Sequence, residues 1–236
     1  MEDSTPARIE KEIILRIFRK EYPVGMRLPT VRDLATQFDV NPSTIQRVVA
    51  RLEAKGLILA RQGSGLLIND PLTHGDVSLL PLWLESKIDD PKAAAEILAD
   101  LLEVRRVLAV KLVARHRDAI KHKASEILSA SARFMNAGSL EELVEADLAM
   151  LRILVLSTGN FAAISVFNTV TSVVRQHHLV ARAMYADPEE NMRGMAEVIA
   201  AVDEPLSQFG AVLDRVLMDL DQRTVERFLE LSRGAP

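Results

Sequence analysis

Ser43, Thr44, Gln46, Arg47 and Arg51 place hydroxyls, an amide and two guanidinium groups on one side of a short helical stretch, while Ile45, Val48, Val49 and Leu52 recur at i, i+3, i+4 and i+7 on the other. Side chains of these types at this spacing bind rather than catalyse. Gln and Arg can make paired hydrogen bonds to base edges in a major groove, and hydroxyls near a helix start can take phosphate oxygens. The same residues would also serve as the solvated face of a small helical domain. What favours the groove is the set of elements around them.

Thr30 follows Pro29 and is a good N-cap, with Asp33 three positions on as a weaker capping box, so a helix is expected from about Val31 to Phe38. After a turn at Asp39 and Val40, Asn41 is the next N-cap and Pro42 occupies the first helical position, where its missing N–H costs nothing. Gly56 ends that helix. Leu57 to Ala60 then reads as a strand, Arg61-Gln62-Gly63-Ser64-Gly65 as a glycine-bearing turn, and Leu66 to Ile68 as the returning strand. Ahead of all this, Ile9, Ile13, Ile14, Ile17 and Phe18 mark an opening amphipathic helix that stops at Tyr22-Pro23-Val24-Gly25. Three helices and a hairpin in this order are the plan of a winged helix-turn-helix, which predicts binding to double-stranded DNA. Arg32 from the preceding helix and Arg61 from the wing would flank the reading helix. Charge agrees: residues 1–70 hold 11 basic and 9 acidic side chains, against 18 and 24 in the remainder.

Asn69-Asp70-Pro71 and Thr73-His74-Gly75-Asp76 concentrate turn formers, so the expected organisation is a DNA-binding domain over 1–70, a linker over 71–76 and a second domain over 77–236. The second domain reads as helix throughout, with segments near Leu79 to Lys87, Lys92 to Arg115, Ala119 to Asn136, Leu140 to Ser157, Phe161 to Tyr185, Glu189 to Val202 and Glu204 to Ser232. The fold class expected is therefore mainly α: a winged helix-turn-helix followed by an all-α bundle of six or seven helices, whose interior is a usual place for a ligand cavity.

Composition narrows the function. There is no cysteine, hence no disulfide, thiolate metal site or cysteine nucleophile. No phosphate-cradling G-x-x-x-x-G-K-[ST], G-x-S-x-G elbow or His-Glu catalytic metal pair occurs, so no catalytic residues are assigned and an enzyme is not expected. The opening MEDSTPARIEKE lacks an apolar signal region and no run approaches a membrane span, which predicts a cytoplasmic protein without a membrane partner.

The N-terminal segment resembles the GntR family of bacterial transcription regulators: L-P-x-x-R-x-L-A at Leu28 to Ala35, V-N-P-S-T-I-Q-R at Val40 to Arg47, and the G-L-I strand entry. The Asn41-Pro42 wording is similar to the YtrA branch, whose C-terminal segments are much shorter. The helical domain instead resembles the FadR branch, in Leu101 to Arg105, Asp147 to Arg152, Ser157 to Asn160, Tyr185 to Glu189 and Phe209-Gly210. The resemblance implies a homodimer on a pseudo-palindromic operator whose affinity responds to a small molecule. It implies DNA contacts at Arg32, Asn41, Ser43, Thr44, Gln46, Gln62 and Gly63, to which the residues themselves add Arg47 and Arg61. Pro42 and Gln46 stand where the FadR pattern has arginines, so that branch's operator does not carry over.

Many effector domains of the branch hold a divalent metal through one aspartate and three histidines. Here Asp147 fits the aspartate, but Leu151, Met192 and Asp214 fall at the histidine positions, and adjacent His177 and His178 point roughly 100° apart on a helix. No metal and no cofactor are expected. The fatty-acyl-CoA-responsive regulator of the branch also lacks that metal, which makes an acyl-CoA or fatty acid the sharpest effector candidate, with another small organic acid, or no ligand, as alternatives. Effector contacts are expected at Arg105, Asp147, Arg152, Phe209 and Gly210. Arg105 and Arg152 could face a ligand carboxylate or phosphate, or pair with Asp147 or Glu103.

Overall fold

The computed structural model describes residues 5–61 and 65–233, with only the backbone of Arg61. Residues 1–89 and 90–236 form two compact units.

In the first unit, α1 (Thr5–Phe18), α2 (Val31–Gln37) and α3 (Pro42–Ala54) are followed by β1 (Ile58–Arg61) and β2 (Gly65–Ile68). Both caps form as the sequence predicts. Asp33 N donates to Thr30 Oγ1 at 3.2 Å while Thr30 N donates to Asp33 Oδ2 at 3.1 Å, closing the capping box. At α3, Thr44 N donates to Asn41 Oδ1 at 3.0 Å. The three helices also end alike. In each, the residue after the C-cap has positive φ (Lys20, Asp39, Gly56), and paired bonds return to the last turn: Glu21 N to Arg16 O, Val40 N to Ala35 O, Leu57 N to Leu52 O. This is the Schellman arrangement, and two of the three left-handed positions are filled without glycine. At Gly56 a glycine is required, because a Cβ there would overlap the backbone carbonyl of His74. The strands pair antiparallel from Ile58 opposite Ile68 to Arg61 opposite Gly65, and Arg27 bridges to Leu67 at the edge.

The apolar stripes of α1 and α3 meet here. Ile9, Ile13, Ile17, Ile45, Val48 and Leu52 form one core with Leu34, Leu57 and Ile68. The segment expected to be linker and the opening of the second domain packs on this same core. It comprises α4 (Pro71–His74), a 3-10 turn (Val77–Leu79) and α5 (Leu80–Ser86). Leu79 is buried in the core, Trp83 stacks on Phe18 with ring centroids 4.0 Å apart, and Lys11 pairs with Glu85 at 2.8 Å. Turn formers do mark residues 69–76, but the chain folds back onto the first unit before leaving it at Asp89.

The second unit contains α6 (Pro91–Arg115), α7 (Arg117–Lys121), α8 (Ala124–Met135), α9 (Leu140–Ser157), α10 (Phe161–Gln176), α11 (His178–Met184), α12 (Pro188–Ala200) and α13 (Leu206–Arg233), with no strand among its described residues. Nine α-helices, counting α5, stand among the described residues where six or seven are expected after residue 77. Two expected segments are each divided, at His122-Lys123 and at His177, whose backbone is extended with φ −113° and ψ 95°. Helix α6 packs along α13, which also carries α11 and α12, while α9 joins α8 to α10.

Candidate functional site

The polar face of α3 is open. Asn41, Ser43, Gln46, Arg47 and Arg51 are exposed, while Ile45, Val48 and Leu52 beneath them are fully buried. Gln46 and Arg47 make no hydrogen bond or ion pair among the described residues, so their donors and acceptors face solvent, as do those of the exposed Arg32. The other expected contacts are engaged to different degrees. Asn41 Oδ1 accepts from Thr44 N, Ser43 Oγ and Thr44 Oγ1, leaving the Asn41 amide NH2 as its remaining donor. Thr44 is buried, because its hydroxyl turns back to close the cap rather than out to solvent. Arg51 Nη1 donates to the buried Glu10 Oε2 at 3.2 Å and so ties α3 to α1. Arg61 ends β1, and Gln62 and Gly63 lie outside the described residues.

Sequence reasoning passed over Arg27. It is exposed and bridged through its backbone to Leu67, beside the wing strand. Glu53 Oε1 also accepts from Ala60 N at 3.1 Å, joining the reading helix to the wing. The result is a rigid base carrying an exposed amide and several guanidinium groups. It can make hydrogen bonds to base edges from α3 and charge-assisted bonds to phosphate from Arg27 and Arg32.

The second unit encloses a cavity of about 440 Å³, within the range of small-molecule sites, and a smaller one of about 140 Å³. Arg105, Asp147 and Met184 line both. Three of the expected effector residues, Arg105, Asp147 and Phe209, are on the lining of the larger cavity. The other two are elsewhere. Arg152 is exposed, with its guanidinium 5.8 Å from the ring centroid of Phe167, because its position on α9 turns away from the bundle. Gly210 is on neither lining, and a Cβ there would meet nothing within 4 Å, so no close approach calls for a glycine.

Arg105 pairs with Asp221 of α13, not with Asp147 or Glu103. Tyr185 Oη donates to Asp147 Oδ2 at 2.6 Å. Burial pushes the Asp147 carboxyl up, against the opposing effects of the Tyr185 hydrogen bond and the Arg105 charge. Asp221 is raised for the same reason despite Arg105 and Arg106, and burial together with the Asp147 charge raises Tyr185 well above the phenol value. Neither Tyr185 nor Asp221 was singled out from sequence as a cavity residue. The signal available was Asp221, the charged residue on the buried face of α13 that Phe209, Leu213, Val216 and Phe228 otherwise make largely apolar. Of the positions where the FadR branch has histidines, Leu151 and Met192 line the larger cavity and Asp214 pairs with Arg106 at 2.9 Å. Among the described residues no three His, Cys, Asp or Glu side chains come together as a metal cage.

Residues 5–68 match the bacterial regulatory proteins of the gntR family. An HTH-type transcriptional regulator of Mycobacterium tuberculosis, Rv0494, is 33% identical over 187 residues, covering 77% of this chain and 74% of that protein. The chain belongs to the GntR family. This GntR protein is thus a DNA-binding transcriptional regulator. It is also 26% identical over 163 residues to the fatty acid metabolism regulator protein of Shewanella halifaxensis, covering 67% of this chain and 64% of that one. The solved structure of Lar, which controls expression of the Listeria monocytogenes agr system, shares the fold with a TM-score of 0.57 at 15% identity, over 96% of this chain and 99% of that one. No helix among the described residues of the GntR regulator is long and apolar enough to cross a membrane.

Proposed function

We propose that this GntR regulator is a cytoplasmic homodimer that reads a pseudo-palindromic operator through Gln46 and Arg47, with Arg32, Asn41, Ser43 and the wing residues Arg61, Gln62 and Gly63 setting its register. The observation that carries the reading is the exposed polar face of α3: two side chains suited to base edges, without a partner among the described residues, on a helix locked from below by its apolar stripe. Two half-sites on one DNA face lie about 34–36 Å apart, so a change in the spacing of the paired reading helices releases the operator. The second unit supplies that change by taking up a small molecule with an apolar chain, of the length and character found in fatty acids and acyl-CoAs. The apolar lining of the larger cavity supports this, as does the relative named for fatty acid metabolism.

The decisive test is fluorescence anisotropy with a labelled operator duplex at fixed salt. Gln46→Ala and Arg47→Ala should each weaken binding by about 1–3 kcal/mol and relax sequence preference at one position. Unchanged affinity and footprint in both would remove α3 as the reading element. For the effector, a ligand at concentration [L] raises stability by RT ln(1 + [L]/Kd), so a selective thermal shift identifies it. A flat response to acyl-CoAs, fatty acids and small organic acids would leave the helical unit as a dimerisation module.

A further inference from the structure

The wall shared by the two cavities has an unusual charge balance. Of the cationic side chains on the lining of the larger cavity, Arg105 is already neutralised by Asp221, and Lys121 pairs with the exposed Asp203. The carboxylates Asp147 and Asp221 both belong to that lining. Asp147 is left with a phenolic O–H, and Asp221 Oδ2 is buried without a hydrogen-bond donor. Arg105 Nε is likewise buried without an acceptor. Around these groups the surface is almost wholly aliphatic, with Leu151, Leu154 and Leu217 on both linings.

A carboxylate or phosphate entering here would find the Arg105 charge already paired and would face two acceptor groups at close range, an unfavourable arrangement. An ammonium group would have to shed its hydration shell in an almost wholly aliphatic cavity where Arg105 already occupies Asp221, a cost that a neutral group does not meet. A hydroxyl meets neither difficulty, because it can donate to a carboxylate and accept from a guanidinium at once. We propose that the group seated at the wall formed by Arg105, Asp147 and Asp221 is a neutral hydrogen-bond donor, a hydroxyl in the first instance, carried on an apolar chain. This rests on the ligand-responsive reading of the second unit, and it sets the head group of the effector apart from that of a free fatty acid.

The test compares four ten-carbon probes on the full-length protein at neutral pH by calorimetry and by release of the operator duplex: 1-decanol, decanoate, decanoyl-CoA and decylamine. Decanol is expected to bind at least about tenfold more tightly than the other three, the factor that follows when a buried like charge is avoided. In Asp147→Asn the gap between decanol and decanoate should narrow, through tighter decanoate binding. Decanoate, decanoyl-CoA or decylamine binding as tightly as decanol to the unmodified protein overturns the neutral head group and leaves the ligand-responsive reading in place. No binding of any probe overturns both. The comparison on the unmodified chain decides the matter even where the variant fails to fold.

Discussion

At the scale of single residues, two acids in the second unit are held against their preference. Asp147 has a folded-state value raised by burial, so the protonated form is favoured in the native state relative to the unfolded chain. Its contribution to stability is fully present below the unfolded carboxylate value and is lost as pH rises through the raised one. At neutral pH an ionisable carboxyl in this buried position therefore contributes less to stability than a group that does not titrate. Asp147→Asn keeps an acceptor for the Tyr185 hydroxyl and removes the charge, so its melting temperature should exceed that of the parent at pH 7. The gain should vanish below about pH 4, where the parent acid is protonated in both states. An equal shift at both pH values would show that packing, not ionisation, governs the site. The residues that make this site are 116 positions apart in the Arg105–Asp221 pair, which is why no local pattern reveals it. Asp147 and Arg105 were reachable through resemblance, but the partner of Arg105 was not.

At the scale of elements, the caps carry most of what could be read in advance. Helix α9 occupies the expected span, Leu140–Ser157, because Ser139 caps its start through the Glu142 N–H and Thr158-Gly159 closes its end. The reading helix α3 is defined in the same way by Asn41 and Gly56. Where a helix breaks without such punctuation the sequence is silent, as at His177, which lies in an unbroken helical pattern with no glycine or proline nearby. Thr44 shows the complementary limit. Its type and position suit a groove contact, yet the cap needs its hydroxyl first. The Gly56 terminus offers a sharp test, since a methyl group there meets both a left-handed backbone and the His74 carbonyl. Gly56→Ala should lower stability by about 2 kcal/mol or more, seen as a shift of the urea midpoint. A loss below about 0.5 kcal/mol would mean that the α4 turn moves aside freely.

At the scale of the whole molecule, the first unit is larger than its DNA-binding motif. Composition and turn residues mark the end of the wing, but a hydrophobic pattern does not say which of two cores it will join, and residues 77–86 join the first. A fragment of residues 1–89 should fold cooperatively and retain weak, salt-sensitive affinity for duplex DNA. One of residues 1–76, deprived of Leu79 and Trp83, should be less stable by at least about 2 kcal/mol in denaturant melts. Equal stability of the two would return α5 to the second unit. The Phe18–Trp83 stack adds a practical consequence. Because the chain has one tryptophan and it lies in the first unit, tryptophan emission, excited beyond the tyrosine band, is a private optical channel for the operator-reading half. An effector taken up by the other half is silent in that channel unless its signal crosses Asp89, so a change in tryptophan emission on adding a non-fluorescent ligand would witness communication between the halves without any label.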